Sequence, residues 1–353
     1  MTVTPVPELK NKRVLVTGGS GFLGRSVVQR LLAEGALVRS FSRRPSPLLA
    51  AAGVDQLPGD IGDAQAVAAA CRDVAAVFHV AAKTGVWGCA AEFYHANVRG
   101  TRNVIAACRA GGVEALVHTS SPSVVFDGTD MQGVDESVPY PKHHPAPYPH
   151  TKALAEKDVV AAARTGLKTI VLRPHLIWGP GDGHLVPRII GRARRLRRIG
   201  DGRNRVDTVY IDNAAAAHIA AAKCLMARPE LSGRIYFISQ GEPVYLWEMI
   251  NAILAAAGRP PVRKKISRRT AGRLGFLLET VYRLLRLKSE PPLTRFVAEE
   301  LATAHWFDIG AARRDLGYRP AVSTAEGLRR LAEWLDATGQ RDAEKPSHRP
   351  SRI

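Results

Sequence analysis

The chain has 353 residues, 46% of them hydrophobic and 23% charged, which is typical of a globular protein with one large domain or two closely joined ones. Its 50 lysines and arginines against 32 acidic residues give a net charge of +18, which favours anionic partners such as a phosphate-rich cofactor, an acidic substrate, a membrane surface or nucleic acid. No apolar run reaches the ~18 residues that cross a bilayer, and the N-terminus lacks the apolar core of a signal peptide. The four cysteines lack the spacing of a zinc site or a disulfide framework, so we expect a cytoplasmic protein with reduced thiols and no metal.

The first half of the chain alternates short apolar strands with helical stretches. Buried strands are predicted at residues 13–19, 36–43, 76–82, 115–121 and 169–175, and a helix at residues 22–35. This alternation predicts an α/β fold in which helices cover both faces of a parallel sheet. After about residue 180 the alternation becomes irregular, which indicates a smaller, substrate-facing part.

The segment VTGGSGFLG, residues 16–24, has the glycine spacing of a loop that binds a dinucleotide pyrophosphate. Gly18, Gly21 and Gly24 fit one form of this fingerprint, and Gly19 with the last two fits the other. Glycines allow a sharp turn and a close approach of the backbone to phosphate, while the N-terminus of the next helix faces the negative charge. The loop follows a predicted strand and opens a predicted helix, a context that favours a cofactor site over a purely structural turn.

The end of the second strand, Ser42-Arg43-Arg44, bears on the choice of cofactor. Binders of NAD usually place Asp or Glu here to hold the ribose 2′-hydroxyl. This strand end offers no carboxylate to repel a 2′-phosphate, and two guanidiniums can bind it. We therefore predict that NADP(H) is preferred, with NAD(H) as the alternative if the arginines only face solvent. Asp60 and Ile61 are predicted to flank the adenine.

Two groups of polar residues later in the chain are candidates for catalysis. The predicted strand at 115–121 ends in a cluster of hydroxyls, Thr119, Ser120, Ser121 and Ser123. Further along, Tyr148 and Lys152 stand four residues apart. Because Pro149 suits the first turn of a helix, the tyrosine and the lysine should lie on one face, one turn apart. By itself this spacing is weak evidence for a catalytic pair.

Together these motifs resemble the extended short-chain dehydrogenase/reductases, in the branch that contains the 3β-hydroxysteroid dehydrogenases. The resemblance covers roughly residues 12–337 and rests on TGGSGFLG, HVAA, the NVRGT that starts at Asn97, HTSSPSV, YPHTK and LRPHLIWGPGD. The stretches KTGVWG, VDTVYIDNAA, YFISQGEP and PPLTRF are similar to bacterial ketoreductases of this family that act in long-chain olefin synthesis. The implied fold is a Rossmann-type doubly wound parallel sheet with a smaller substrate-binding part.

The resemblance also implies domain bounds. The cofactor-binding domain is expected in residues 12–180, and a later segment of about 206–240 should return to it. The substrate-binding part is expected mainly in residues 181–337. The polar tail, residues 340–353, is expected to be disordered.

The resemblance assigns Tyr148 as the general acid, Lys152 as the group that lowers its pKa and holds the nicotinamide ribose, and Ser121 as the hydrogen-bond donor to the substrate carbonyl. Ser123 or Ser120 replaces Ser121 if the alignment shifts. A phenol has an ordinary pKa of ~10, and bringing it near 7 takes roughly 4 kcal/mol of preferential stabilisation of the phenolate. An adjacent ammonium and the oxidised nicotinamide ring would supply it.

Further positions are carried over from the same family. The full set of expected cofactor contacts is Gly18, Gly21, Phe22, Leu23, Gly24, Ser42, Arg43, Arg44, Asp60, Ile61, Ala81, Ala82, Asn97, Thr119, Tyr148, Lys152, Pro174 and His175. The expected substrate contacts are Ser123, Trp87 and Trp178, with ordinary packing as the alternative for both tryptophans. Asn97 should help to order the proton relay, and Pro174 with His175 should place backbone against the nicotinamide. His79 and His118, within strands, are expected to be hydrogen-bonded core histidines.

Residues 266–288 predict a basic amphipathic helix, because leucines recur at helical spacing among arginines. It could cover an apolar pocket, lie on an anionic membrane or dock a partner enzyme, and a packed core helix is the alternative. A homodimer is left open. The sequence has no recognised nucleic-acid-binding motif, so specific nucleic-acid binding is not expected.

Net redox chemistry is favoured over the epimerase and dehydratase reactions of related proteins. Epimerases usually carry the acidic strand end that is missing here, and dehydratases add an Asp-Glu pair where residues 120–123 read Ser-Ser-Pro-Ser. The first hypothesis is NADP-dependent reduction of the 3-oxo group of a bulky lipid-like substrate, such as a 2-alkyl-3-oxoalkanoate. The alternatives are a 3β-hydroxysteroid or sterol dehydrogenase working in oxidation, and a non-catalytic NADP-sensing or scaffold protein.

Overall fold

The computed structural model describes residues 8–287 and 289–341. The strands are β1 Arg13–Thr17, β2 Leu37–Ser42, β3 Asp55–Pro58, β4 Ala76–His79, β5 Ala115–Thr119, β6 Met131–Val134, β7 Thr169–Pro174, β8 Ile177–Trp178, β9 Arg198–Ile199, β10 Arg205–Val206, β11 Val209–Tyr210, β12 Arg234–Ile238, β13 Val244–Tyr245, β14 Lys265–Ile266 and β15 His305–Phe307. The α-helices are α1 Phe22–Ala33, α2 Pro47–Ala51, α3 Ala64–Ala70, α4 Ala90–Phe93, α5 Gly100–Ala110, α6 Pro147–Arg164, α7 Leu185–Arg192, α8 Ile211–Ala227, α9 Leu246–Ala256, α10 Arg268–Leu284, α11 Arg295–Glu300, α12 Gly310–Leu316 and α13 Thr324–Ala337. A π-helical segment, Tyr94–Arg99, joins α4 to α5, and short 3₁₀ helices lie at Pro122–Val125 and Pro229–Leu231. None of the helices in these ranges is long and apolar enough to span a membrane.

The central element of the described chain is a seven-stranded sheet in the order β12-β7-β5-β4-β1-β2-β3, in which neighbouring strands are parallel. Side chains alternate across β1, as the two-residue period of a strand requires. Val14 and Val16 face the core that includes α1 and α8, whereas Leu15 faces the core that includes α3, α5 and α6. The predicted α/β fold with a doubly wound parallel sheet is confirmed.

One edge of this sheet gathers the polar residues that end the central strands. The strand order reverses beside β1, because β2 and β3 extend the sheet on one side while β4, β5 and β7 extend it on the other. The carboxyl ends of four neighbouring strands therefore meet there, at Thr17, His79, Thr119 and Pro174. In sheets of this kind, ligands bind outside the carboxyl ends of the strands where the order reverses.

The second half of the chain contributes to both parts of the molecule. Helix α8 packs along α1, and β12 pairs with β7 at the edge of the main sheet. The remaining strands form a small sheet, β13-β10-β15-β6, and two pairs, β8 with β11 and β9 with β14. Because β6 comes from the first half, a boundary near residue 180 does not separate the two parts completely.

Helix α10 departs from the expectation of a packed core helix, and that alternative is wrong. Its buried residues are Ala271, Gly275 and Glu279, while most of its leucines are exposed. Lys288, at the end of the predicted amphipathic segment, lies outside the described residues, as do residues 342–353 of the predicted disordered tail.

Candidate active site

The loop between β1 and α1 has the shape of a phosphate cradle. Gly18 has φ +72°, and a Cβ there would lie 2.9 Å from the backbone of Ala81. A Cβ on Gly24 would lie 2.1 Å from the carbonyl oxygen of Gly18, so neither glycine can be replaced without moving backbone. Helix α1 begins at Phe22 with Gly21 as its N-cap and has no acidic residue in its first turn. The unpaired amides of that turn, which include Phe22, Leu23 and Gly24, therefore suit an anion.

The end of β2 lies beside this loop. The hydroxyl oxygen of Ser42 accepts a hydrogen bond from the backbone N–H of Ser20 at 3.3 Å, which ties the strand end to the glycine turn. Arg43 and Arg44 follow and are exposed. The structure thus brings Ser42 to the phosphate loop and leaves both guanidiniums accessible to a ligand bound there.

The residues predicted to flank the adenine are held by protein contacts. The Asp60 carboxylate accepts hydrogen bonds from the backbone of Gly62 at 2.7 Å and from the ring of His95 at 2.9 Å. These contacts, the backbone one most strongly, hold the pKa of Asp60 below its ordinary value, with a smaller contribution from the nearby Arg43. Ile61 is 9% exposed and packs against Gly100 on α5.

Asn97 lies in the π-helical segment between α4 and α5, an irregularity that is frequent at functional sites. Its side chain is buried, accepts a hydrogen bond from the Lys83 backbone N–H at 2.8 Å, and donates to the Lys83 carbonyl at 3.0 Å. It also donates to the Thr151 hydroxyl on α6 at 3.0 Å. Asn97 therefore fixes the turn after β4, which includes Ala82, to the helix that carries Tyr148.

Helix α6 begins at Pro147, so Tyr148 lies in its first turn and Lys152 one turn later. The Lys152 side chain is 2% exposed, and its Nζ donates to the carbonyl oxygen of Thr119 at 2.6 Å and lies 3.4 Å from Nε2 of His118. Burial lowers the pKa of Lys152 to about 8, although Glu156, one turn further along the helix, raises it. The ammonium thus points at the carboxyl end of β5.

Tyr148 and the serines of residues 120–123 lie together. Burial raises the pKa of the Tyr148 phenol to about 12, a hydrogen bond with the Ser121 side chain opposes this, and the Glu300 carboxylate raises it further. The expectation that Lys152 lowers this pKa is not met in this structure, where the lysine is not among the groups that shift it. Ser123 donates a hydrogen bond to the Ser121 hydroxyl at 3.0 Å. Ser120 is 4% exposed and its hydroxyl has no hydrogen-bond partner in the described chain. Ser121 is therefore the serine that acts on the phenol, and Ser123 lies behind it.

Three buried histidines lie beneath the site. His79 is hydrogen-bonded to Thr17 at 2.8 Å and to Thr101 at 3.0 Å, as expected of a core histidine. His118, whose ring centroid is 5.2 Å from that of His79, differs from the expectation, because its Nδ1 has no hydrogen-bond partner among residues 8–287 and 289–341. Burial and the adjacent Lys152 hold the pKa of His118 well below its ordinary value.

The third histidine, His218 on α8, completes this layer. Its Nε2 lies 2.9 Å from the Thr119 hydroxyl and its Nδ1 lies 2.7 Å from the Ala214 carbonyl. Because the carbonyl can only accept, Nδ1 carries the proton and Thr119 donates to Nε2. The side chain of Thr119 is therefore held beneath the sheet edge, and its backbone carbonyl is the group that faces Lys152.

Glu300, which belongs to none of the sequence motifs, lies close enough to Tyr148 to influence its pKa. Pro174 ends β7, and Nε2 of the following His175 lies 2.7 Å from Nδ1 of His305. Nε2 of His305 lies 2.9 Å from the backbone carbonyl oxygen of Glu300. Burial raises the pKa of the Glu300 side chain to about 7, and Arg188 lowers it. Glu300 closes α11, far from Tyr148 in sequence and outside any motif, so only the fold could bring the two together.

The two tryptophans behave differently. Trp87 is partly exposed and packs edge-on against Tyr282 of α10, with ring centroids 6.3 Å apart. The expectation that Trp178 lines the substrate pocket is wrong. Its side chain is fully buried in the core, donates to the Thr208 hydroxyl at 3.2 Å and packs on Tyr210. Ordinary packing accounts for Trp178.

Comparison with known proteins identifies the family. The profile of the 3-beta hydroxysteroid dehydrogenase/isomerase family matches residues 15–266. The chain is 52% identical to the 2-alkyl-3-oxoalkanoate reductase of Stenotrophomonas maltophilia, over 90% of this chain and 98% of that protein. It is 46% identical to the 2-alkyl-3-oxoalkanoate reductase of Shewanella oneidensis, over 91% and 86% of the two chains. Among solved structures, a double mutant of the dTDP-glucose 4,6-dehydratase DesIV from Streptomyces venezuelae, with NAD and DAU bound, matches with a TM-score of 0.71 and 27% identity over 92% of this chain and 97% of that one.

These findings agree with the site. A glycine cradle, a tyrosine with an adjacent serine, and a lysine at the carboxyl end of a parallel sheet suit a nicotinamide dinucleotide and a carbonyl or alcohol substrate. The protein is an oxidoreductase that acts on CH–OH or C=O groups with a nicotinamide cofactor. The resemblance predicted from the motifs is confirmed, and the chain belongs to the 3-beta hydroxysteroid dehydrogenase/isomerase family, on the extended short-chain dehydrogenase/reductase fold.

Proposed function

We propose that the protein reduces the 3-oxo group of a bulky lipid-like substrate, such as a 2-alkyl-3-oxoalkanoate, to the 3-hydroxy compound, with NADPH as the reductant. The observation that carries this proposal is the position of Tyr148 in the first turn of α6, one turn before the buried Lys152, with Ser121 acting on its phenol. The names of the two reductases that share 46–52% identity with this chain support the substrate class.

The proton donor suits the direction of reduction. With a pKa raised to about 12, the Tyr148 phenol is protonated at neutral pH and can give its proton to the carbonyl oxygen as the hydroxyl forms. Ser121 donates a second hydrogen bond to that oxygen and stabilises the charge that develops on it. The nicotinamide, when bound, supplies the hydride to the carbonyl carbon. Lys152, which points at the end of β5, orients the ribose.

The exposed pair Arg43 and Arg44 supports NADPH over NADH. Ser42 is joined to the phosphate loop, and the two guanidiniums follow it directly. Arginine binds phosphate with two parallel hydrogen bonds, so this strand end suits a ribose 2′-phosphate.

A second candidate is oxidation of a 3β-hydroxysteroid, which the description of the matching family favours. The two reactions share the tyrosine, serine and lysine and differ in the ring system and in the direction of hydride transfer. The substrate that is turned over and the cofactor form that is consumed distinguish them.

The test is NADPH oxidation with a synthetic 2-alkyl-3-oxo acid beside NAD reduction with a 3β-hydroxysterol, for the wild type and Tyr148→Phe. We expect NADPH turnover that the variant lacks, while cofactor binding, followed by NADPH fluorescence, is retained. Sterol-dependent NAD reduction would move the protein to the steroid reaction. Activity that is unchanged in Tyr148→Phe would show that Tyr148 is not the proton donor, and a wild type that binds NADPH but turns over neither substrate would favour a non-catalytic NADP-sensing or scaffold role.

A further inference from the structure

Helix α10 contacts the rest of the protein through its small and acidic residues. A Cβ on Gly275 would lie 2.8 Å from the backbone of Thr294 and Arg295, so the helix lies directly against that segment. Glu279, buried one turn later, accepts hydrogen bonds from the Arg295 backbone at 2.7 Å and from its guanidinium at 3.0 Å. With Ala271, these residues form the buried face, and they fix which face of α10 points outward.

The outward face is apolar. Seven of the eleven large hydrophobic side chains that are exposed in the described part of the chain lie in or next to α10, namely Leu274, Phe276, Leu277, Val281, Leu284, Leu285 and Leu287. Leu277 is 57% exposed and Leu284 is 77% exposed. Leu274, Leu277, Val281 and Leu284 recur in steps of three and four, which puts them on one stripe of the helix. An exposed stripe of this kind marks an interaction surface.

The same segment is strongly basic. Residues 263–287 contain eight arginines and lysines and one acidic residue, Glu279, which is already bonded to Arg295. Arg269, Arg273 and Arg283 follow a second stripe beside the leucines, and all three are exposed. Apolar and basic stripes therefore lie side by side on the surface of one helix.

We propose that this face of α10 docks on an anionic lipid surface, with the helix lying in the plane of the interface. Leucines inserted among the acyl chains and arginines held at the lipid phosphates are the two contributions that bind such helices to membranes. A second copy of the chain would bring like charges together, which opposes self-association through this face. Nucleic acid would bind the arginines but would leave the exposed leucines in contact with water, so it accounts for only one of the two stripes.

The docked face lies next to Trp87, which follows β4. Tyr282 packs edge-on against Trp87, and the Arg283 guanidinium lies 5.5 Å from the centre of the Trp87 ring. Trp87 belongs to the turn that Asn97 fixes through Lys83. If the proposed function holds, a lipid-like substrate could pass from the membrane to the site without crossing bulk water. The docking itself requires only the surface of α10.

Sedimentation of the full chain with vesicles tests the proposal without any substrate, so its outcome is independent of the proposed reaction. We expect binding to vesicles of phosphatidylglycerol and phosphatidylcholine, weakened by salt, and much weaker binding to phosphatidylcholine alone. Leu277→Glu with Leu284→Glu should lower the affinity at least tenfold, and Arg269→Glu with Arg273→Glu should abolish the preference for anionic lipid. Leu48→Glu, which changes a leucine that is 67% exposed on α2, is the matched control and should bind as the wild type does.

Because the substituted leucines are exposed, the double variant should keep its circular dichroism spectrum and melting temperature. Three outcomes would overturn the proposal. The wild type could fail to sediment with anionic vesicles at low salt. The leucine variant, correctly folded, could bind as tightly as the wild type. Sedimentation velocity could show a wild-type dimer that the leucine variant converts to a monomer, which would make this face a contact between copies.

Discussion

The Nζ atom of Lys152 donates a hydrogen bond to the backbone carbonyl of Thr119 at 2.6 Å and so joins the catalytic helix to the end of β5. A backbone carbonyl cannot neutralise the ammonium, and the lysine is almost fully buried. The buried ammonium therefore destabilises the folded state, in line with the lowering of the Lys152 pKa to about 8.

Lys152→Met should separate activity from stability. Below about pH 8 the buried ammonium of the wild type destabilises the folded state, and this effect fades as pH rises from about 8 towards the ordinary pKa of a lysine. We expect the variant to be more stable at pH 7 by roughly 1–3 kcal/mol, since one pKa unit corresponds to about 1.4 kcal/mol. Turnover should fall by roughly 100-fold. Urea unfolding at pH 7 and pH 9.5 checks the first point, and a stability gain of equal size at both pH values would contradict it.

The two serines should differ in how strongly they affect turnover. Ser121 interacts with the Tyr148 phenol, whereas Ser123 contacts the Ser121 hydroxyl. We expect Ser121→Ala to lower kcat by about 10- to 100-fold and Ser123→Ala by only a few-fold, in line with loss of one hydrogen bond to developing charge. Steady-state kinetics of both variants decides the matter. A larger loss in Ser123→Ala would assign the carbonyl contact to Ser123 instead.

The parts of the candidate site that could be predicted from the sequence are those formed by residues close together in the chain. The glycine turn, the Ser42 strand end and the Tyr148–Lys152 helix are local patterns whose geometry follows from one strand, one turn or one helix. The strands β1, β2, β4, β5 and β7 all lie within their predicted ranges, because their apolar runs are buried on both faces of the sheet. Their predicted ranges extend beyond the observed strands at the carboxyl ends, where polar residues leave the sheet.

Contacts between residues far apart in the chain could not be predicted from the sequence. Glu300 lies near Tyr148, and His305 contacts His175, only because the chain returns at α11 and β15 to helix α6 and to the end of β7. Trp178 shows the opposite case: a large aromatic residue in a family motif is packed against Tyr210 rather than substrate. For α10 the amphipathic pattern was correct, but the pattern alone could not reveal that the small residues face inward and the leucines outward.

Glu300→Gln should shift the pH dependence of the reaction. The Glu300 carboxylate raises the pKa of Tyr148, because a nearby negative charge disfavours the phenolate. Without that charge the phenol should ionise more readily, so the rate of alcohol oxidation, which rises as Tyr148 loses its proton, should begin to rise at lower pH. Rates of NADP reduction measured from pH 6 to pH 10 test this. Glu299→Gln, at the neighbouring position, is the control, and a shift of equal size in both variants would rule out a specific effect of Glu300.

Arg43 and Arg44 should determine the preference for NADPH. Each charge-assisted hydrogen bond to a phosphate contributes roughly 1.5–3 kcal/mol, so Arg43→Ala with Arg44→Ala should raise KM for NADPH by at least about tenfold. The KM for NADH, which lacks the 2′-phosphate, should stay the same. Arg72→Ala removes an exposed arginine that follows α3 and should change neither value. Parallel loss of affinity for both cofactors would show that the pair does not read the 2′-phosphate.

Breaking the buried ion pair between Arg173 of β7 and Glu156 of α6 should strongly lower the free energy of unfolding. Arg173 is 1% exposed and Glu156 is fully buried, and the Glu156 carboxylate also accepts a hydrogen bond from Tyr140 at 2.6 Å. Arg173→Met leaves this carboxylate buried without its counter-charge, which should lower the free energy of unfolding by about 3–5 kcal/mol. Adding Glu156→Gln removes the charge but keeps an acceptor for Tyr140, so the double variant should recover at least about 1 kcal/mol.

Urea unfolding of the single and double variants at pH 7 measures both effects. Lys12→Met, which breaks the partly exposed pair with Glu114, serves as the control and should cost less than about 1 kcal/mol. If Arg173→Met cost no more than Lys12→Met, the buried ion pair would not make the large contribution to stability that is expected here.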